Sequence, residues 1–487
     1  MKQLILALII FGIFAGAIPP SKPIALHPEN GRYFLFRVKP TILITSGEHY
    51  GAVLNLDFDY IAYLNTLQQD GLNYTRIFTG AYVEDQGAFD IAKNTLAPAT
   101  GRYAAPWARS NTAGYDNGGN KFDLNQWDQS YFTRLKDFIS QAGKRGIVVE
   151  VTMFSSLYGW SEGWKSSPLN PKNNINRTDT MVFNKVQTLG NGNILAHQEK
   201  MVRKIVQELK DFDNIIYEIQ NEPWADNPKQ VATVSKLDTT QPDWQTKVEA
   251  ASDSSLAWQK YIAAAVVDEE KNFPARHLIA QNVTNFAYKL PAIDPNISII
   301  NFHYARPEAV WYNYDLNKVI GFDESGFAGN ADSTYRRQAW RFIMAGGGLF
   351  NNLDYSFTVQ KPDGTDKQEA PGGGSVAFRK NLRVLNKFMQ SLNFIHMKPD
   401  TMVAARSGQG KIYVLSNPGR EYAFYLENIH NNTLNLQLPA GKYTVRWTDP
   451  VNGTVEKPQS LTHRGGILPV NIPGSTAEKA LHIQAGR

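Results

Sequence analysis

The chain has 487 residues, 42% hydrophobic and 12% aromatic, with 50 Lys and Arg against 45 Asp and Glu, a formal net charge of +5, and no cysteine. That length exceeds what one hydrophobic core usually fills, so one large domain plus a small one is expected, and the apolar content excludes a disordered chain. With no block of like charges and no basic stripe, no nucleic-acid partner is expected, and disulfides are excluded.

Lys2, the apolar run LILALIIFGIF and then Ala15-Gly16-Ala17 form a charged, apolar and small-residue series, which predicts a signal peptide over residues 1–17 and a secreted or periplasmic protein. The run is too short to span a bilayer comfortably, and no later segment is apolar enough, so no membrane partner is expected after its removal. The apolar run Tyr33–Val38 is expected either to pair with the C-terminal region or to cap the floor of the large domain.

From about residue 41, short apolar β-branched runs alternate with helix-period runs. Strands are expected at 40–45, 73–79, 147–154, 214–220, 278–283, 297–303, 319–323 and 349–354. Helices are expected at 58–69, 126–142, 194–209, 256–270, 335–345 and 376–392. In 194–209, Ile194, Leu195, Met201, Val202, Ile205, Val206 and Leu209 fall on one face and Gln198, Lys200, Lys204 and Lys210 on another. After the fifth strand the pattern is weak, because 284–296 is short and holds Pro291 and Pro295. Eight strand-then-helix units predict an α/β fold, a closed (β/α)8 barrel, over residues 18–398. Beyond 399, KIYVLSN, EYAFYLEN and TLNLQLPAGKYTVRWTD alternate in period two between Gly, Pro and Asn turns, which predicts an antiparallel β-sandwich over 399–487.

Segments 81–121, 155–192 and 358–375 are long and leave the C-terminal ends of the second, third and eighth strands, where barrel sites are built. Tyr158, Trp160 and Trp164 make the second of these a functional segment.

YEIQNEPW at 217–224 ends a buried strand on a charge. Alternation puts Glu218 and Gln220 on the inner face with Glu222, as buried polar groups that need partners. Pro223 ends pairing and leaves Asn221, Glu222 and Trp224 at the mouth. A partly desolvated carboxylic acid there can donate a proton to a leaving group; an ordinary charge where strand meets loop is the alternative. VIGFDESGF at 319–327 delivers Asp323 and Glu324 to the end of the seventh strand, nearly across the mouth. Two carboxylates flanking one bond are what glycoside hydrolysis requires.

IQNEP at 219–223 followed by DESG at 323–326 resembles the clan A glycoside hydrolases, the retaining (β/α)8 group that includes glycoside hydrolase family 5 and the cellulase-like proteins. The resemblance covers roughly residues 40–395 and implies a β-glycosidase, with Glu222 as acid/base, Glu324 as nucleophile and Asn221 on the sugar 2-hydroxyl. Asp323 competes with Glu324. Arg76, in NYTRIF, looks like the clan's arginine that supports the nucleophile; a structural ion pair with Glu218 is the equal alternative. NFHYA offers His303 and Tyr304, where the clan places a substrate-binding histidine and a tyrosine on the nucleophile; alternation turns only one of them inward. SGEHYG puts Glu48, His49 and Tyr50 at the mouth as sugar-contacting candidates. Tyr355, or Phe357, stands where a stacking tryptophan is common, and the third strand has no histidine. No metal or other cofactor is expected, since the nine histidines are scattered. The competing classes are a non-catalytic carbohydrate-binding barrel and a transglycosylase that uses the same residues.

Overall fold

In the computed structural model, residues 22–160, 163–233, 243–404, 410–429, 433–474 and 477–486 are described; the expected signal peptide lies outside them. Eight parallel strands form the centre: β1 (Leu43–Gly47), β2 (Tyr74–Phe78), β3 (Val148–Ser155), β4 (Ile215–Asn221), β5 (Leu278–Asn285), β6 (Ile299–His303), β7 (Val319–Ser325) and β8 (Leu349–Leu353). They pair in the order 1-8-7-6-5-4-3-2. Every residue in them is buried, which explains runs of β-branched residues in place of clean alternation. The seam between β1 and β2 is closed by Asn73. Its Oδ1 accepts from Ile44 N at 2.9 Å, its Nδ2 donates to Ile42 O at 2.9 Å, and its own N–H reaches Ile44 O at 3.3 Å. An (β/α)8 barrel results, as the strand-helix alternation predicts.

Helices α1 (Tyr60–Gln69), α2 (Gln129–Lys144), α3 (Ile194–Leu209), α4 (Asp253–Glu269), α5 (Pro307–Asn313), α6 (Asp332–Met344) and α7 (Val376–Gln390) form the outer layer. Asp59, Asp128, Ser252 and Ser375 accept backbone N–H groups that the first turns of α1, α2, α4 and α7 leave unpaired. Two residues of α3 depart from its expected faces. Leu195 is half-buried, whereas Gln198 is buried and accepts from Trp258 Nε1 at 3.0 Å. Among the described residues no helix lies between β5 and β6. Segment 81–121, expected as loop, holds a short turn at Ala88–Asp90 and strand Trp107–Ala113, which pairs with Asn120–Trp127.

The floor is capped by the N-terminal run. Phe34–Phe36 pairs antiparallel with Ala25–Leu26 and with Lys39–Thr41. Ile24, Phe34 and Phe36 pack against the first residues of the barrel strands, among them Leu43, Tyr74, Val148, Leu278, Val319 and Leu349.

The C-terminal sandwich has a six-stranded antiparallel sheet, to which Lys398–Pro399 contributes the first strand, and a two-stranded one. Strand Glu421–Glu427 is buried on both faces. Tyr422, Phe424 and Leu426 enter the sandwich core with Leu434, Leu436 and Trp447, while Ala423 and Tyr425 join the barrel's core. Tyr425 stacks on Trp340 of α6 with ring centroids 5.2 Å apart.

Candidate active site

The end of β4 supplies the first acid. Residue 222 follows the strand directly, with φ 46° and ψ 52°, a left-handed conformation that a non-glycine residue holds only when its surroundings dictate it. Tyr158 OH donates to Glu222 Oε2 at 2.9 Å, Tyr304 OH lies 3.1 Å from Oε1, and His303 Nδ1 lies 2.8 Å from Oε1. Ser156 Oγ and Asn282 Oδ1 fix the backbone on either side.

The end of β7 supplies the second. Glu324 Oε2 accepts from Tyr50 OH at 3.1 Å, and Oε1 lies 2.9 Å from Tyr304 OH. Arg76 Nη1 stands 3.5 Å from Oε2 and His303 Nδ1 3.5 Å from Oε1. An oxygen of Glu222, an oxygen of Glu324 and a ring nitrogen of His303 all lie within 4.8 Å of one another. Asp323, the competitor, is fully buried against His303 Nε2 at 3.4 Å and Arg76 at 3.4 Å and reaches neither cavity at the mouth.

Arg76 contacts both Glu218 and Glu324. Its Nε donates to Glu218 Oε2 at 2.8 Å and its Nη2 to Asn221 Oδ1 at 2.9 Å, while Nη1 faces Glu324. Asn221 is thereby fixed, with its Nδ2 on Tyr158 OH at 2.9 Å. The alternation that puts Gln220 inside fails at this strand end. Gln220 bonds Gln187 and Ser255 of α4, and its neighbour Asn221 takes the inner face.

His303 and Tyr304 both reach the glutamates, contrary to the expectation that only one faces in. Pairing of β6 with β7 shifts register after Phe302, and Tyr304 leaves the strand with φ 52°, which brings its ring back over the mouth. Glu48 is a second correction. It is fully buried and accepts from Gly51 N at 2.9 Å, Ala52 N at 3.0 Å and Thr95 Oγ1 at 2.6 Å, so it braces the turn after β1 and meets no sugar. His49 lines the mouth with its Nε2 3.2 Å from Glu84 Oε2. Trp224 lines the wide part of the mouth and meets His303 edge-on at 5.4 Å. Tyr355 lies against His49, centroids 5.9 Å apart, whereas Phe357 turns away to Tyr63 and Arg379. Of the aromatics in segment 155–192, Tyr158 and Trp160 line the cavity, but Trp164 donates to Met181 O instead.

The charges are unequal. Glu150, Glu218, Glu222, Asp323 and Glu324 share the barrel interior with two cations, Arg76 and His303. Burial opposes ionisation of Glu324, yet His303 and Arg76 outweigh it and hold this carboxyl down at about 2. Burial likewise opposes charge on His303, but Glu324 and Asp323 raise it well above its ordinary value. Deeper in, burial pushes Glu218 up to about 7, aided by Asp323 and opposed by Arg76. Glu150, bonded to Tyr74 OH and to Asn301 Nδ2 at 2.8 Å, is raised by burial and by Glu218. Protons therefore reside low in the barrel, and the mouth keeps an ionised Glu324.

Sequence reasoning missed Glu84, Asn94, Asn282, Trp244, Phe89 and Phe327. Glu84, Asn94, Trp244 and Phe89 stand outside the expected strands, and Asn282 lies within β5 with its amide on Glu218 and the Glu222 N–H; only folding brings these groups together.

Residues 61–303 match the family model for cellulase (glycosyl hydrolase family 5). No curated protein sequence matches the chain. Among solved structures, the chain is similar to a glycoside hydrolase, with TM-score 0.61 and 14% identity over 95% of this chain and 97% of that one. It is also similar to a glycoside hydrolase family 5 protein from Bacteroides vulgatus ATCC 8482, with TM-score 0.62 and 12% identity over 95% of this chain and 92% of that one. These likenesses are of fold. Residues 61–303, which span β2 to β6, thus carry a family 5, cellulase-like domain of the clan A glycoside hydrolases, and an all-β sandwich follows the barrel.

Proposed function

We propose that the protein hydrolyses β-glycosidic bonds in a poly- or oligosaccharide by double displacement, with Glu222 as acid/base and Glu324 as nucleophile. The observation that carries this is the approach of the two carboxyl groups, within 4.8 Å at their nearest oxygens, at the open ends of β4 and β7. Retaining enzymes use a separation of about 5–5.5 Å, and inverting ones leave room for a water between the groups.

In the first step the Glu324 oxygen forms a bond to the anomeric carbon as the glycosidic C–O bond breaks, and Glu222 gives its proton to the departing oxygen. In the second, water loses a proton to Glu222 and attacks the same carbon, and the ester to Glu324 breaks. Ionised Glu324 suits the first step. Tyr50, Arg76 and Tyr304 aim it, and Asn221, held by Arg76 at Oδ1 and donating from Nδ2 to Tyr158 OH and Ser155 Oγ, lines the cavity beside it, where a sugar hydroxyl would exchange with Tyr158 as its acceptor.

A panel of 4-nitrophenyl β-glycosides and soluble β-glycans tests this with wild type, Glu324→Gln and Glu222→Ala. The expected result is turnover by wild type, none by Glu324→Gln, and azide rescue of Glu222→Ala with a β-glycosyl azide as product. Unchanged turnover in both variants removes the assignment. We further propose that the protein acts after export, as the Lys2-led apolar leader supports; N-terminal sequencing of the mature protein should then begin at Ile18.

A further inference from the structure

The mouth is lopsided, and the imbalance falls on opposite sides of the bond to be broken. A cavity of about 830 Å³ is lined by Glu222, Trp224, Trp244, Phe327 and Trp160 but not by Glu324. The proton donor faces this space, so it receives the leaving group. Glu324 lines a second, much smaller cavity of about 30 Å³, which Glu222 also lines and which His49, Tyr50, Phe78, Glu84 and Leu96 wall, so both carboxyl groups meet only there. The attacked sugar must sit there.

Tyr50, Phe78, Glu84 and Leu96, which back that second cavity, are all buried. Glu84 is fixed behind it by Tyr82 OH at 3.1 Å, Asn94 Nδ2 at 2.5 Å and His49 Nε2 at 3.2 Å. Farther out, the segments that follow β2 and β8 clasp each other over the end of β1. Ala92 N donates to Glu369 O at 3.1 Å, Lys93 N to Gln368 Oε1 at 2.7 Å, and Lys93 Nζ pairs with Asp366 at 2.8 Å. The ion pair is exposed and adds little; the bonds from the Ala92 and Lys93 N–H groups hold the clasp. Gln368 Nε2 in turn donates to Tyr355 O at 2.7 Å, which ties the clasp to the end of β8.

We propose that the enzyme is exo-acting: one terminal sugar fits between Glu324 and the His49–Glu84 wall, and each turnover releases a monosaccharide. This rests on the hydrolase reading given above. A longer glycone would have to pass through the clasp, while the rest of the substrate extends freely among Trp224, Trp244 and Phe327. His49 Nδ1, on that wall, and Tyr355 OH, whose ring lies 5.9 Å from the His49 ring, are buried with no hydrogen-bond partner among the described residues, and a sugar that opens this wall would supply one. A void of about 30 Å³ is about one water's share of liquid volume, so a sugar ring enters by displacing Phe89. That residue lines both cavities, and it and Asp90 hold φ of 58° and 60° in a turn that arches over the mouth.

The test uses the full chain with paired 4-nitrophenyl β-glucoside and β-cellobioside, β-mannoside and β-mannobioside, and β-xyloside and β-xylobioside, then the matching soluble polymer. The expected result is direct nitrophenol release from one monoglycoside. The corresponding disaccharide substrate should release nitrophenol only after a lag, while free monosaccharide accumulates, and polymer viscosity should hold while monosaccharide appears. Release of an intact disaccharide, or early oligosaccharides with falling viscosity, overturns exo action and leaves the hydrolase reading standing. Inactivity on every glycoside, with Glu324 unlabelled by the 2,4-dinitrophenyl 2-deoxy-2-fluoro-β-glycosides of the same sugars, removes both. His49→Ala should raise KM for the preferred monoglycoside by about tenfold, and an unchanged KM removes His49 from the glycone wall.

Discussion

The Tyr304 hydroxyl lies 2.9 Å from Glu324 Oε1, and the same hydroxyl is 3.1 Å from Glu222 Oε1, so it bridges the two carboxyl groups. One proton serves two acceptors, so in the proposed reaction the hydroxyl follows whichever carboxylate is charged. Tyr304→Phe keeps the ring against Trp244 and Phe327 and deletes that proton. A hydrogen bond to a charged group is worth about 1.5–3 kcal/mol, so kcat/KM on an aryl glycoside should fall by about 10- to 100-fold with little change in Tm. Wild-type kinetics in this variant would take Tyr304 out of the reaction.

Arg76 is the main cation of the barrel interior. Buried with Glu218 at 2.8 Å and Asp323 at 3.4 Å, it leaves uncompensated charge behind when removed. Arg76→Ala should lower the unfolding free energy by about 3–5 kcal/mol in urea titrations. Arg76→Lys restores the charge but not the planar fork that spans Glu218 and Asn221, so it should recover only part of the loss. A shift under 1 kcal/mol in the alanine variant would mean that the cluster is effectively neutral.

Stability should peak near pH 5. Burial raises Glu48 and Asp226 to about 7, against an unfolded value near 4. For such groups the folded state binds more protons than the unfolded one between those values, so their contribution is present at low pH and is lost as pH rises towards 7. Asp323 and Glu324, held at about 2, act the other way. Their contribution is present above the unfolded value and is lost as pH falls from about 4.5 to about 2. Melting temperatures from pH 2 to 9 check this. Asp226→Asn, which keeps an acceptor for Leu157 N at 2.7 Å, should flatten the alkaline limb. A Tm that climbs steadily from pH 5 to 8 would contradict it.

Barrel and sandwich should melt as one unit. Arg336 and Arg337 of α6 both pair with Glu478 in the last strand, at 2.7 and 2.9 Å, and Arg341 Nε donates to Glu427 at 2.6 Å beside the Trp340–Tyr425 stack. Calorimetry should record a single transition. Glu478→Ala leaves Arg336 buried without its carboxylate and should cost about 3–5 kcal/mol. Two separated transitions in the wild type would show that the interface carries little.

Much of the barrel was legible from periodicity. Helix 194–209 falls where its apolar stripe puts it, and each of the eight expected strands overlaps an observed one, because a parallel strand buried on both faces needs a run of apolar residues that is hard to mistake. The two glutamates were legible for a related reason, since a charge that closes such a run has few structural uses. Side-chain direction at the strand ends was not. Period two holds inside a ladder, but Glu222 and Tyr304 sit one residue past their strands in left-handed conformations, and Gln220 and Asn221 exchange the faces that alternation assigns. Glu48 failed similarly: its place after β1 marked it for the mouth, whereas three nearby donors fold it back into the turn.

The sequence by itself determined which elements form, their order, and which two carboxylates end facing strands, because burial and backbone pairing act on local patterns. Only the tertiary structure decided how the interior charges divide their protons, which aromatic residues wall the mouth, and that the segments after β2 and β8 join. Those depend on groups far apart in the chain, such as Arg76 with Glu324 or Ala92 with Glu369, whose meeting leaves no periodic trace in sequence.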